Sequence, residues 1–403
     1  MIDQQLIERI EEELQPSFKK LNEICLFNQE KVLNAFKKNK IALRHFSGTT
    51  GYGYGDEGRD TLNKLFATIF NCEDAICSPN IASGTHALAI CLLGILKPGD
   101  TALSITGEPY DTLSTIINGQ GVGSLKDYGI TFNTIPLKNN SFDKESIEFA
   151  LKSSNVKMVY LQRSRGYDWR NALSLCEIES VVNFLRKDCC FDGCIMLDNC
   201  YGEFVEKKEP TEVGVNVVAG SMIKNPGAGI VPTGGYVAGD KVYVDLARNR
   251  LIAPSIAAEV GSYFSGYQYF YQGLFLAPHV VKESLKGAML FAGVLEELGF
   301  DVLPHKGAMP KDIITSIKFN DKNKLISFIQ NIQSNSPIDS YVSVMPWDMP
   351  GYEDQVIMAA GCFVQGASIE LSADAPVKPP YIAYLQGGLT YEHCKIALKN
   401  LNL

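Results

Sequence analysis

Apolar positions such as Leu6, Ile10 and Leu14 recur at helical spacing through an otherwise charged stretch, and the pattern over residues 4–38 predicts two helices. Two helices are too little for a domain, so residues 1–45 read as an N-terminal helical arm that packs elsewhere on the chain or on another subunit. From about residue 75 short apolar runs alternate with amphipathic stretches. Strands are expected at 74–78, 101–105, 156–161, 194–198 and 217–219, with helices such as 84–96 and 174–186 between them. Strands alternating with helices of this length imply βαβ units and a mostly parallel sheet, an α/β architecture. From about 278 the helical period restarts in HVVKESLKGAMLFAGVLEELG. Strand-like segments at 314–318 and 368–371 and a last helix after Thr390 follow. The expected division is therefore an arm (1–45), a large domain (46–277) and a small α+β C-terminal domain (278–403).

Composition narrows the partners. The chain has 403 residues and a formal charge of −8, with no long basic run, which argues against nucleic acid or an anionic membrane surface. No stretch reaches the roughly 18 consecutive apolar residues of a membrane span, and the N-terminus lacks the basic start and apolar core of a signal peptide. Eleven cysteines cannot all pair, and most sit singly in apolar runs, as Cys77, Cys91 and Cys194 do; buried thiols in a reducing, cytoplasmic setting are expected. Cys189, Cys190 and Cys194 have no histidine or second cysteine pair beside them, so no metal is expected.

Six segments carry candidate chemistry. Gly53, Gly55 and Gly58 spell the dinucleotide fingerprint, but HFSGTT ahead of them is no buried strand, and the fingerprint has meaning only after one. GQGVG at 119–123 lacks the third glycine. Ser83, Gly84 and Thr85 open a strongly apolar helix, whose free N–H groups and dipole make a phosphate seat; taken alone, Ser83 reads more readily as a plain cap. Tyr110 follows a strand end, where a flat ring can stack on a planar cofactor or simply pack beneath its loop. Asp198 ends four apolar residues, and a carboxylate there needs a cationic or hydrogen-bonding partner, whether a pyridinium N–H or an arginine. Lys224 stands in SMIKNPGAGI, too apolar for an ordinary surface lysine; burial beside cationic groups would lower its pKa and ready it for imine formation.

Phosphate seat, stacking ring, acidic ring partner and lysine come in a consistent chain order. In that order, and in the phrases GTTGYGYGDEGRDTL, QRSRGYDWR, LDNCYGEF, SMIKNPGAGI and ELSADAPVKPPY, the chain resembles the fold type I pyridoxal-phosphate enzymes. Within them it is most similar to the methionine gamma-lyase-like or "aluminium resistance" family of the cystathionine beta/gamma-lyase group. The resemblance implies an aspartate-aminotransferase-like fold and pyridoxal 5'-phosphate as cofactor. It implies Lys224 as the Schiff-base lysine, Asp198 on the pyridine nitrogen and Tyr110 over the ring, with Ser83, Gly84, Thr85 and Ser221 on the phosphate. It also implies that Tyr54 and Arg59 reach the phosphate of a neighbouring subunit, hence a homodimer or homotetramer. Arg163 or Arg165 is expected on the cofactor or on a substrate carboxylate, which a guanidinium fork suits. Lys378 stands where the resemblance implies a carboxylate-binding arginine. The implied activity is a carbon–sulfur lyase acting on a sulfur-containing amino acid by β- or γ-elimination. An aminotransferase, desulfurase, aldolase or a cofactor-binding protein with little turnover are the alternatives.

Overall fold

The short apolar runs become the strands of a seven-stranded sheet in the computed structural model, which describes residues 1–349 and 352–402. These strands are β1 (Asp74–Ser78), β2 (Thr101–Ser104), β3 (Thr131–Thr134), β4 (Val156–Gln162), β5 (Cys194–Asp198), β6 (Val217–Ser221) and β7 (Gly235–Gly239), in spatial order β1-β7-β6-β5-β4-β2-β3. The pairs among β2 to β6 are parallel, and β7 runs antiparallel to both of its neighbours. Every residue of β5 and β6 is buried, because helices cover both faces; that is why these strands read as continuous apolar runs rather than alternating ones. The helix Gly84–Ile95 packs over β6 and β7 and against the helix Lys241–Leu251.

A second sheet is all antiparallel. It contains β8 (Asp301–Leu303), β9 (Ile314–Lys318), β10 (Val356–Ala359), β11 (Ser372–Pro376) and β12 (Ile382–Gln386), in order β10-β11-β12-β9-β8. The α/β class with a smaller antiparallel unit is the one expected from the sequence. Among the described residues no helix is long and apolar enough to cross a membrane.

Three elements differ from expectation. Residues 4–38 form one helix, not two, running through Pro16. An internal proline costs a helix about 3 kcal/mol, but the buried stripe Ile7, Ile10, Leu14, Phe18 and Leu21 continues across it and packs on the helix Gln268–Glu297. That second helix also starts earlier than the sequence suggested and passes through Pro278, again because the apolar face is continuous on both sides. The strand expected at 368–371 is instead β11, Ser372–Pro376.

The N-terminal helix also reaches the large sheet. Buried Asn28 donates through Nδ2 to the carbonyls of Phe204 (3.1 Å) and Glu206 (2.9 Å), in the loop that follows β5.

Candidate active site

In an open parallel sheet, the ends of the strands and the loops beyond them surround one crevice. Here β4, β5 and β6 end on a cavity of about 200 Å3 that is closed from the other side by β9, β11 and β12. Ser83, Gly84, Thr85, Tyr110, Asp198, Ser221 and Lys224, far apart in sequence, all line it.

Ser83 is the cap of the helix Gly84–Ile95, its Oγ accepting from the His86 N–H at 3.1 Å. Capping and cavity lining are thus compatible roles for one residue. A Cβ on Gly84 would stand 3.3 Å from Cys200 Sγ and 3.4 Å from Ser221 Cβ, so the helix start is pressed against the ends of β5 and β6. Thr85 Oγ1 lies 3.0 Å from Thr112 Oγ1. Backbone N–H groups and small hydroxyls at a helix start form a donor set suited to a phosphate.

Tyr110 is fixed by its backbone N–H, which donates to Gln162 Oε1 at 2.8 Å, and by its hydroxyl, 2.7 Å from that of Tyr352. Burial pushes its phenol well above the ordinary range. Asp198 Oδ1 accepts from the Cys200 N–H at 3.0 Å. Burial raises its carboxyl; the Cys200 bond and the Lys224 ammonium pull it back. A carboxylate with one backbone donor in a buried cavity is matched by a ring N–H.

Lys224 is half-buried in the cavity wall, its Nζ 4.0 Å from the centre of the Tyr201 ring. Tyr201 itself holds a left-handed backbone, φ +70°, a conformation costly for a bulky residue and found where surrounding structure imposes it. Burial disfavours the Lys224 ammonium, but Cys200, Tyr201 and Asp198 together outweigh burial and hold the amine above its usual range. The expectation of a lowered pKa beside cationic groups is therefore corrected: the groups around this lysine are acidic. Opposing charges at Asp198 and Lys224, a flat ring at Tyr110 and a helix-start donor set fit pyridoxal phosphate.

The remaining candidates lie elsewhere. Arg163 does not line the cavity; it is wholly buried and bonded to Asn199 Oδ1 (2.9 Å), the Gly202 carbonyl (2.9 Å) and Glu206 (3.0 Å). Arg165 is also spent, on the Leu303 carbonyl (2.9 Å) and on Asp312 (3.3 Å), joining the large unit to the small one. Lys378 is half-exposed outside the cavity and paired with Asp354 at 2.6 Å. A side chain that follows a strand end sits near the crevice, but buried carbonyls and carboxylates behind it compete for a guanidinium and here they win.

Tyr54 is exposed and stacked on Tyr52, with ring centres 5.4 Å apart. Arg59 is turned inward, donating to Asp60 Oδ1 (3.0 Å) and the Gly53 carbonyl (3.2 Å). Neither lines this chain's own cavity. The glycine loop is preceded by a 3-10 turn, Leu43–Phe46, rather than a strand. A Cβ on Gly58 would meet Tyr267 at 2.5 Å and the His45 carbonyl at 2.6 Å, so this glycine serves close packing. At the second glycine cluster, the N–H groups of Gly121, Val122 and Gly123 are all taken by the Asp127 carboxylate.

Sequence reasoning missed Asp374, Tyr167, Tyr201 and Gln386, which all line the cavity. The signal for Asp374 was present: a carboxylate in the small, apolar stretch SADAP, where an unpartnered acid would be costly.

The chain is similar to known proteins along almost its whole length. An uncharacterized protein of Bacillus subtilis, YnbB, is 46% identical over 393 residues, 96% of this chain and 93% of that one. A solved structure from Clostridium novyi, a carbon–sulfur lyase involved in aluminum resistance, is 50% identical with a TM-score of 0.93, covering 98% of this chain and 93% of its own. A candidate cystathionine beta-lyase involved in aluminum resistance, from Clostridium acetobutylicum, is 48% identical with a TM-score of 0.95 over 98% of this chain and 93% of that chain. A pyridoxal-5'-phosphate dependent protein of Escherichia coli, YhfS, is 16% identical with a TM-score of 0.62, over 94% of this chain and 96% of its own, and shares the fold. Since the methionine gamma-lyase family model matches residues 3–402, the chain belongs to the methionine gamma-lyase family.

Proposed function

We propose that the chain is a pyridoxal-phosphate carbon–sulfur lyase that removes a sulfur leaving group from the β or γ carbon of a sulfur-containing amino acid. The observation that carries this reading is the meeting of Lys224, Asp198, Tyr110 and the Ser83–Gly84–Thr85 helix start in one cavity. Lys224 would hold the cofactor aldehyde, and its amine would serve as the base for the substrate α-proton, beside the Tyr201 ring 4.0 Å from Nζ. Asp198 would keep a proton on the ring nitrogen. Tyr110 would cover the ring face, while Ser221 and the helix start would hold the phosphate. When bound, the cofactor supplies an electron sink for charge developing at the α carbon.

A desulfurase would need a mobile thiol over the ring. Cys362 is the half-buried candidate, and it does not line the cavity; burial pushes its thiol up to about 12. Elimination is favoured over that route.

Tyr54 and Arg59 complete the phosphate site of a neighbouring subunit in this reading, giving a homodimer or homotetramer. Exposed Tyr52, Tyr54 and Phe264 around the glycine loop support it, since they form an aromatic surface patch.

The test is a visible spectrum of purified protein before and after borohydride, followed by a screen of sulfur amino acids for thiol, keto acid and ammonia. Wild type should be yellow and become fixed by reduction, and Lys224→Ala should lose both the reducible band and turnover. Colourless protein that refuses added coenzyme would sink the assignment, and keto acid without ammonia would turn it to transamination.

A further inference from the structure

We infer that the substrate half of the cavity is a cation site, in which Asp374 and the rings of Tyr167 and Tyr384 receive a positively charged group on the substrate side chain. The substrate class is then a thioether amino acid bearing a second cation, such as an ammonium, rather than one with an apolar or anionic tail. This rests on the lyase reading for the identity of the reaction, and on the following geometry for the charge.

Asp374, on β11, is the cavity carboxylate that the cofactor does not need. Its partners are neutral: the Tyr167 hydroxyl donates to Oδ2 at 2.7 Å, and Gln386 Nε2 donates to Oδ1 at 3.4 Å. Among the described residues lining the cavity, Lys224 is the one cation, and its charge is engaged once it holds the cofactor. A half-buried carboxylate left with two neutral donors is short of positive charge within this chain, and a cationic group on the substrate side chain would supply it.

The rings beside it suit the same ligand. Tyr167 lies with its centre 5.1 Å from that of Tyr384, 5.4 Å from Tyr110 and 5.9 Å from Tyr352. The Tyr384 hydroxyl donates to the Tyr167 carbonyl at 2.5 Å, which fixes the pair. Clustered aromatic faces beside a carboxylate attract ammonium and sulfonium groups. Outside the cavity, Asp111, Glu353 and Asp354 are the charged neighbours of the Lys378 ammonium. The guanidinium groups of Arg163 and Arg165 are spent in the framework. The charge balance that this chain gives the cavity disfavours an anionic tail.

The test compares S-(2-aminoethyl)-L-cysteine with S-propyl-L-cysteine, which differ by an ammonium against a methyl, and with S-carboxymethyl-L-cysteine. Apparent dissociation constants come from the amplitude of the cofactor absorbance change on rapid mixing with cofactor-loaded protein, before turnover. Wild type should bind the aminoethyl compound about tenfold or more tightly than the propyl one, with the carboxymethyl compound weakest. Asp374→Asn, checked for fold by circular dichroism, should bring the first ratio close to one while leaving the propyl affinity within about twofold, and Asp374→Glu should restore part of it. Equal binding of the isosteres by wild type, a ratio that survives Asp374→Asn, preference for the carboxymethyl compound, or no response to any of the three would overturn the inference. The lyase reading fails separately: neither isostere would release thiol or ammonia, even with the affinity ratio intact.

Discussion

The phenol of Tyr167, on the loop after β4, donates to Asp374 Oδ2 on β11 at 2.7 Å, so this hydrogen bond ties the loop of the first sheet to the second across the cavity. Burial pushes the Asp374 carboxyl up to about 6, and the Tyr167 bond and the Lys224 charge hold it from going higher. Tyr167→Phe removes a donor to the charged form. The carboxyl of Asp374 should then titrate about one unit higher, read by carbon-detected NMR of labelled aspartate; an unchanged midpoint would mean that the bond does not form in solution.

Glu203 gives a stability prediction. It is wholly buried, accepts from the Tyr236 hydroxyl at 2.6 Å through Oε1, and has no partner at Oε2. Burial raises its pKa from an ordinary 4.5 to about 8. A carboxyl raised in the folded state contributes stability below its unfolded pKa and loses it as pH climbs through the folded one. Cofactor-free wild type should therefore lose stability relative to Glu203→Gln between about pH 4.5 and 8, by roughly 3–5 kcal/mol in all. Urea melts of both proteins at pH 5 and pH 8 measure it, and parallel behaviour would refute the assignment.

Arg165 and Lys378 should part company when tested. Arg165→Met strands Asp312 in the interior, and breaking a buried pair in this way costs about 3–5 kcal/mol, seen as a lower urea midpoint. Lys378→Ala breaks a half-exposed pair with Asp354, so the KM for a thioether amino acid should move by about twofold or less. A tenfold rise in KM would instead restore Lys378 as the carboxylate clamp.

The framework was legible where burial on both faces left an unmistakable trace. The run ending at Asp198 reads as a covered strand because every position from Cys194 is apolar or at the strand's end, and β5 occupies those residues. The helices through Pro16 and Pro278 run longer than expected, because the packing of their apolar faces outweighs the local cost of proline and cannot be read from local sequence. Arg163 and Arg165 show a second limit. The chain reveals that a guanidinium follows a strand, but which way it turns depends on acceptors brought in from residues 199–206 and 303–316. Asp374 arrives at the cavity from the second sheet, a long-range pairing that no local spacing encodes.

Asn28 offers a test of distant support. It carries two hydrogen bonds from the N-terminal helix to the loop after Asp198. Asn28→Ala leaves both carbonyls without that donor and should cost about 2–3 kcal/mol, with faster loss of absorbance when loaded protein is diluted. An unaltered decay would confine the effect to the helix.

That helix is therefore not a detachable appendage. Proteolytic clipping ahead of residue 40, or exchange of the first segment with that of a relative, would strip Phe204 and Glu206 of their tether to Asn28. The opening tenth of the chain and the loop after β5 have to be swapped, shortened or engineered as one piece.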